Sequence, residues 1–151
     1  MQAVRKISLD KPILKRDSLP KLENIETLKE LHVEFSESFL MNSLGIQDWI
    51  MWLSPIAKNP GVKIILHKCP VSVVQQINLV VNFLPNNAEV ISFYVPYFSD
   101  ESEESKMVLL ERDKHFSKGN LNLPEVKDSK GNAMEMDVTP KVYFRFLGVE
   151  S

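Results

Sequence analysis

Ser43 lies where a phosphate group would be stabilised by the chain itself. Residues 42–45 read Asn-Ser-Leu-Gly and separate a segment of alternating hydrophobicity from one with helical spacing. A phosphate on Ser43 would meet a helix N-terminus, where free N–H groups and the helix dipole favour negative charge. Asn and Ser are also preferred N-cap residues, so Asn42 and Ser43 have a purely structural interpretation too. Both interpretations stay open, because a cap can also be a switch.

The histidines and the single cysteine form no catalytic pattern. His32, His67 and His115 are far apart and show no ligand spacing. His32 alternates with apolar residues of a predicted strand, which places it toward solvent or the other sheet face. Cys69 follows His67 by two residues, but no local signature of a Cys–His nucleophile is present. We expect Cys69 to be a buried, small apolar residue.

An acidic run is the remaining candidate for a cation site. Hard-cation loops carry ligands at alternating positions with a glycine at the turn, and this run has no glycine, so it predicts a solvated loop. The residues are Asp100, Glu101, Glu103 and Glu104. We therefore expect no metal, no cofactor and no catalytic residue. An enzyme whose site is assembled from scattered residues stays an open alternative.

The elements around Ser43 follow a strand–helix–strand–helix–strand order. Alternating Leu31, Val33 and Phe35 predict a strand, and residues 62–66 and 90–95 predict two more, the last closed by Pro96. Two helix faces lie between them. Their apolar residues are Ile46, Trp49, Ile50, Leu53 and Ile56, then Val73, Val74, Ile77, Val80, Val81 and Leu84. This order predicts an α/β fold with parallel strands.

The rest of the chain is expected to complete one domain over residues 1–151. Residues 4–14 predict an edge strand ending at Pro12, residues 97–140 an inserted loop module, and residues 142–147 a closing strand. Pro55 is expected to end or kink the first helix. The length and a 44% hydrophobic content fit a single core.

Residues 31–95 resemble the STAS domain of bacterial anti-sigma factor antagonists. Those proteins carry Asp-Ser-Ser-Gly where this chain has Asn42-Ser43-Leu44-Gly45, and a partner kinase phosphorylates the first serine. The resemblance implies a STAS-like mixed β-sheet with helices packed against it and a C-terminal loop/β insertion. It implies Ser43 as phosphoacceptor. It also implies partner binding through Asn42, Ser43 and Gly45 and the exposed helix side at Asp48 and Trp52. For Gly45, tight packing of the first helical turn against the sheet is the favoured alternative.

Most of the chain is also similar to a group of uncharacterised bacterial STAS-like proteins. The similarity rests on Cys69-Pro70, Pro96-Tyr97 and the motif Tyr143-Phe144-Arg145-Phe146-Leu147 besides the Ser43 motif. Members of that group carry two Cys-x-x-Cys pairs, typical of a zinc ribbon. The corresponding positions here are Ser99 with Ser102 and Lys127 with Lys130, none of them a thiolate. The resemblance thus implies a degenerate zinc-ribbon-like module without metal.

The net charge of -2 gives no basic surface for nucleic acid. No segment is apolar enough for membrane insertion, and one cysteine fits a reducing, cytoplasmic compartment. We expect a non-enzymatic protein-interaction module in bacterial signalling, switched by phosphorylation at Ser43. Its partner would be a serine kinase or an anti-sigma factor-like protein, and a homodimer is open. The alternative is a structural or scaffold subunit without a switch.

Overall fold

The computed structural model describes residues 3–148 and has the α/β fold that the sequence predicts. Its first part is a four-stranded parallel sheet whose strands lie in chain order, with the first strand at an edge. A long and a shorter helix connect the later strands. These elements are β1 (Val4–Leu9), β2 (Glu30–Phe35), α1 (Ser43–Ala57), β3 (Lys63–His67), α2 (Val71–Leu79) and β4 (Ala88–Val90).

The parallel sheet buries one face and leaves the other polar. Along β2, Leu31, Val33 and Phe35 are buried, whereas Glu30, His32 and Glu34 on the opposite face are half-buried or exposed. Successive strand residues point to opposite faces, which explains this alternation. Trp49 of α1 packs against the buried face, with its ring centroid 5.7 Å from that of Phe35. The helices therefore cover one face, and the polar side chains mark the open one.

Helix α1 continues past its proline. Pro55 was expected to end or kink the helix at Ser54, yet the helix runs to Ala57. Pro55 lies in the last turn, where a missing N–H removes only one helical hydrogen bond. The Lys58 N–H then donates to the Ser54 carbonyl over 3.2 Å. The helix ends before Asn59-Pro60-Gly61, as the sequence predicts.

Helix α2 is shorter than its apolar face suggested. It ends at Leu79, and Asn82 adopts a left-handed backbone with a φ of 69°. The turn brings Phe83 into the core, where its ring stacks on Trp49 at a centroid distance of 5.4 Å. Val81 was predicted to lie on the buried helix face, and this prediction is wrong, since 82% of it is exposed.

The chain changes sheets at Ile91, which the sequence did not indicate. Residues 90–95 were predicted to be one strand closed by Pro96. Instead β4 ends at Val90, and a new strand, with Pro96 inside it, pairs antiparallel with two later strands. Within residues 3–148, parallel and antiparallel strands form separate sheets rather than one mixed sheet. The antiparallel strands are β5 (Ser92–Phe98), β6 (Ser105–Glu111) and β9 (Glu135–Met136).

Residues 97–140 therefore contain regular structure, including a hairpin of β7 (Phe116–Ser117) and β8 (Asn120–Leu121). The end of the described chain is helical, so the predicted closing strand over 142–147 is wrong. It forms α3 (Pro140–Tyr143) and a 3-10 turn (Arg145–Leu147). Pro140 suits the first helical position. Aromatic residues on neighbouring positions then surround Phe93 from several sides rather than from one strand face.

Candidate functional site

Asn42 is the N-cap of α1, and Ser43 is the first helical residue. The Gly45 N–H donates to Oδ1 of Asn42 over 3.0 Å. The Asn42 amide also donates through Nδ2 to the Leu14 carbonyl over 2.9 Å. Asn42 therefore caps the helix and ties it to the segment after β1. Of the two candidate caps, Asn42 is therefore the N-cap of α1, and the Ser43 hydroxyl does not cap the helix.

Ser43 is exposed, and the chain segments next to it carry three exposed leucines. Within residues 3–148 its hydroxyl has no hydrogen-bond partner, although it lies in the first turn of a 15-residue helix. Leu14, Leu40 and Leu44 are 50%, 46% and 42% exposed. The hydrogen bond from the Asn42 side chain to the Leu14 carbonyl holds Leu14 beside Asn42. We call these residues the Ser43 surface: Leu14, Leu40, Asn42, Ser43 and Leu44.

A cleft extends this surface toward the second helix. It has a volume of about 240 Å³ and lies between the loop after β2, the start of α2 and the antiparallel sheet. Leu40 belongs both to the Ser43 surface and to the cleft wall. Val71, Tyr94 and the exposed Met107 line the other sides. Apolar side chains thus continue from the start of α1 to the start of α2.

Gly45 was named as a partner contact, with tight packing of the first helical turn as the favoured alternative, and the structure buries it against its own chain. A Cβ atom at this position would lie 2.1 Å from the Ile13 carbonyl oxygen and 2.8 Å from Cβ of Met41. The backbones of Ile13 and Met41 form a parallel bridge directly over the first helical turn. Gly45 therefore permits close packing of that bridge and does not belong to the exposed surface.

Asp48 and Trp52 hold the segment between β1 and β2. The Asp48 carboxylate accepts hydrogen bonds from the backbone N–H groups of Asp17 and Ser18 over 3.1 and 3.4 Å. The Trp52 indole donates to the Pro20 carbonyl over 2.7 Å. Both side chains are only partly accessible as a result. The segment at Asp17-Ser18 therefore lies across α1, which no local pattern in the sequence indicates.

The open face of the sheet brings together two histidines that are 35 positions apart in the sequence. Nδ1 of His32 lies 2.8 Å from Nε2 of His67, and Nε2 of His32 lies 2.8 Å from a Glu30 carboxylate oxygen. Burial, and then the proximity of His32, lower the pKa of His67. His32 was predicted to point away from the core, which is confirmed. The spacing of His32 and His67 in the sequence did not indicate that the two residues meet. His115 lies elsewhere, accepting from the Glu111 N–H over 3.0 Å.

Cys69 is fully buried, as the sequence predicts. Burial raises the pKa of its thiol far above the usual range. The thiolate is the nucleophilic form of cysteine, so this group is unreactive at neutral pH. Its neighbour His67 lies on the open face of the sheet, where it pairs with His32. The structure therefore does not bring Cys69 and His67 together as a catalytic pair.

A buried carboxylate joins the two turns that were compared with a zinc ribbon. The hydroxyls of Ser99 and Ser102 donate to Oδ2 of Asp128 over 2.7 and 2.8 Å, and the Asn132 amide donates to the same oxygen over 3.1 Å. The Lys130 and Asn132 N–H groups donate to Oδ1. Lys127 and Lys130, the predicted counterparts of the serines, have exposed side chains. We call Ser99, Ser102, Asp128 and Asn132 the Asp128 cluster.

The acidic run beside this cluster is partly structural. Glu104 accepts hydrogen bonds from both the backbone N–H and the hydroxyl of Ser129. Asp100, Glu101 and Glu103 are exposed, as expected of a solvated loop. Among residues 3–148, no three His, Cys, Asp or Glu side chains converge to hold a metal ion. Hydrogen bonds to carboxylates thus join the two turns.

We predict that Asp128→Asn destabilises the antiparallel part of the protein. An amide cannot accept from all the donors that surround the carboxylate, so some of them lose their partners. Hydrogen bonds from Ser99, and then from Ser102 and Asn132, hold the pKa of Asp128 well below its usual range. Its stabilising effect is therefore complete above the ordinary aspartate pKa of about 4 and is lost as the pH falls below it.

Thermal unfolding of wild type and variant between pH 7 and pH 3 measures this effect. The variant should melt lower at pH 7, and the difference should shrink toward pH 3. The exposed Asp100→Asn substitution is the matched control and should change neither the melting temperature at pH 7 nor its dependence on pH. A difference between wild type and Asp128→Asn that is constant across this pH range would contradict the role of the ionised carboxylate.

No helix within residues 3–148 is long and apolar enough to cross a membrane. Comparison of the chain with protein-family models, with curated proteins and with solved structures finds no match in any of the three.

Proposed function

We propose that this protein is a non-enzymatic, STAS-like protein-interaction module whose Ser43 surface binds a protein partner. The observation that carries the proposal is an exposed serine at the start of a long helix, whose hydroxyl has no hydrogen-bond partner within residues 3–148 and whose neighbouring segments carry three exposed leucines. Apolar groups gathered at an exposed site rimmed by polar residues are typical of interaction surfaces. The resemblance of Asn42-Ser43-Leu44-Gly45 to the antagonist motif supports the same location.

Phosphorylation of Ser43 is the proposed switch. A phosphate adds a charge of about -1.5 to -2 and would be stabilised in the free protein by the first turn of α1. A partner that covers the leucines would have to desolvate this charge, which is costly without a compensating cation. Phosphorylation should therefore favour the free form of the protein.

The chemistry of the surface defines the partner class. Leu14, Leu40 and Leu44 require an apolar contact surface, and the Ser43 hydroxyl requires a hydrogen-bonding group near the helix N-terminus. A cytoplasmic bacterial anti-sigma factor-like protein or serine kinase is the proposed partner, on the strength of the resemblance. Asp48 and Trp52 would act indirectly, by holding the segment that presents Leu14.

The test is partner binding by charge variants of the full-length protein. Ser43→Asp should weaken binding to the partner that copurifies from the native host at least about tenfold, or about 1.4 kcal/mol. Ser43→Ala should bind as wild type does, because it keeps the surface uncharged. Ser117→Asp places the same charge on an exposed hairpin residue and is the matched control. Equal binding by wild type and Ser43→Asp would refute the proposed surface.

Mass spectrometry of the protein purified from its host tests the switch separately. Phosphate on Ser43 would establish modification at the proposed position. An unmodified Ser43 under several growth conditions, together with weakened binding by Ser43→Asp, would leave a constitutive interaction surface without a switch. The two experiments therefore separate the location of the surface from its regulation.

A scaffold subunit is the second candidate function, and a different apolar region favours it. Leu79, Val81 and Val142 are exposed at the end of α2 and on α3. Leu79 and Val142 line a cleft of about 380 Å³ between these helices. Self-association through this region would give a dimer or larger assembly in light scattering. Val81→Ser should then restore the monomer, whereas Leu44→Ser should not.

A further inference from the structure

The His32–His67 pair is a preorganised arrangement of imidazole nitrogens. Their ring centroids are 5.1 Å apart with an interplanar angle of 29°, and the two nitrogens that face each other are 2.8 Å apart. The rings project from adjacent parallel strands, β2 and β3, on the face that no helix covers. The side chain of His32 is 19% exposed, so the pair is accessible to solvent but largely buried.

Glu30 fixes the tautomer of His32. An ionised carboxylate can only accept a hydrogen bond, so Nε2 of His32 carries the hydrogen that points at Glu30. Nδ1 of His32 consequently presents its lone pair toward His67. A metal-bound histidine usually donates the N–H of its other ring nitrogen to a carboxylate, which orients the ring and increases its basicity.

We propose that His32 and His67 bind a divalent transition-metal ion of the Zn²⁺ or Ni²⁺ class, with Glu30 as the outer partner of His32. The ion would lie between Nδ1 of His32 and Nε2 of His67. Metal–nitrogen distances of about 2.0–2.1 Å at tetrahedral angles require the nitrogens to separate to roughly 3.3 Å. Small ring rotations provide this change from 2.8 Å. Imidazole is a preferred ligand for these ions.

Two protein ligands leave the remaining coordination positions to water, so the ion is exchangeable. His67 also lines an open cleft of about 560 Å³ between the parallel sheet and β6. Water or a small ligand can reach the ion from this side. Glu34 lies opposite His67 in the strand register and pairs with Lys68 over 3.4 Å, and Lys6 lies opposite His32. Because the two lysines offset the charges of Glu30 and Glu34, the affinity for the ion comes from the imidazole nitrogens. This site is independent of the Ser43 surface.

Calorimetric titration of the full-length, tag-free protein with Zn²⁺ tests the proposal. Wild type should bind one ion per chain in a saturable manner. His32→Gln and His67→Gln should each abolish saturable binding, and Glu30→Gln should weaken it by roughly 10–100-fold. His115→Gln removes the third histidine and is the matched control, which should bind as wild type does. Circular dichroism of each variant shows that the fold is retained.

Nuclear magnetic resonance with Ni²⁺ locates the ion independently of affinity. Paramagnetic broadening should begin at the imidazole signals of His32 and His67 and leave that of His115 sharp. The proposal is overturned if wild type shows no saturable Zn²⁺ binding, if His67→Gln binds equally well, or if broadening centres on His115.

Discussion

Replacement of Gly45 by alanine is expected to destabilise the protein by at least about 1–3 kcal/mol, the usual cost of overpacking. The new Cβ would lie 2.1 Å from the Ile13 carbonyl oxygen, which is a backbone atom and has no rotamer to relieve the clash. Ile13 is held by two backbone hydrogen bonds, to Leu40 over 2.9 Å and from Asn42 over 3.3 Å. The bridge between residues 13 and 41 must therefore move away from α1.

This prediction opposes the intrinsic helix preference of the residues. Alanine is favoured over glycine in a helix by about 1 kcal/mol, so propensity alone predicts stabilisation. The sign of the measured change thus decides between local preference and tertiary packing. Displacement of residue 13 also moves the adjacent Leu14, so Gly45→Ala should weaken partner binding at the Ser43 surface.

Urea unfolding of Gly45→Ala and Gly61→Ala measures the difference. At Gly61 the nearest atom to a new Cβ is the Asn59 carboxamide oxygen, at 3.2 Å, and a side chain can move aside. Gly61→Ala should therefore change the free energy of unfolding much less than Gly45→Ala. Stability of Gly45→Ala equal to or above wild type would show that the Ile13 segment does not pack closely on the helix.

Trp49→Ala is expected to lower the free energy of unfolding by about 3–5 kcal/mol, the range for removal of a buried tryptophan. Trp49 has no exposed surface and lies at the centre of an aromatic group on the buried side of the sheet. Its ring stacks on Phe83 and lies 5.7 Å from Phe35 and 5.8 Å from Trp52. Its removal leaves a cavity among residues from three different parts of the chain.

Two further variants separate the contributions of Trp49. Trp49→Phe keeps an aromatic ring but removes the indole N–H, whose Nε1 donates to the Phe83 carbonyl over 3.0 Å. Leaving a buried carbonyl unpaired costs about 1–3 kcal/mol, so this variant should be intermediate. Trp52→Ala should cost less than Trp49→Ala, because Trp52 is only partly buried. Chemical denaturation of the three variants gives this order, and an equal loss for Trp49→Ala and Trp52→Ala would contradict it.

Features that depend on residues close in sequence, such as strands, helices and their caps, could be predicted from hydrophobic periodicity and residue type. Alternation at Leu31, Val33 and Phe35 predicted β2, and helical spacing through Trp49 and Leu53 predicted α1. An N-cap at Asn42 or Ser43 was also predictable, since capping involves residues only a few positions apart, and the structure selects Asn42. The alternation of side chains and the capping of a helix involve residues of a single element, so the local sequence encodes them.

Only the tertiary structure decided which distant residues meet. His32 and His67 are 35 positions apart, and their contact depends on the parallel register of β2 and β3. The contact between Asp128 and Ser99 likewise requires two turns to meet across 29 positions. Proximity of this kind follows from strand order and loop path, which periodicity within one element does not encode.

The same limit explains the errors at the Ser43 surface and at the end of the chain. Gly45 was included in the predicted partner surface beside its packing alternative, because local patterns do not show that residues 10–20 run across α1. The alternating residues 142–147 resembled a strand, but Phe144 and Phe146 meet Phe93 from a helical turn. The parallel α/β core and the position of the start of α1 follow from local patterns in the sequence. Which side chains stay exposed follows from tertiary packing, because exposure depends on what the rest of the chain covers.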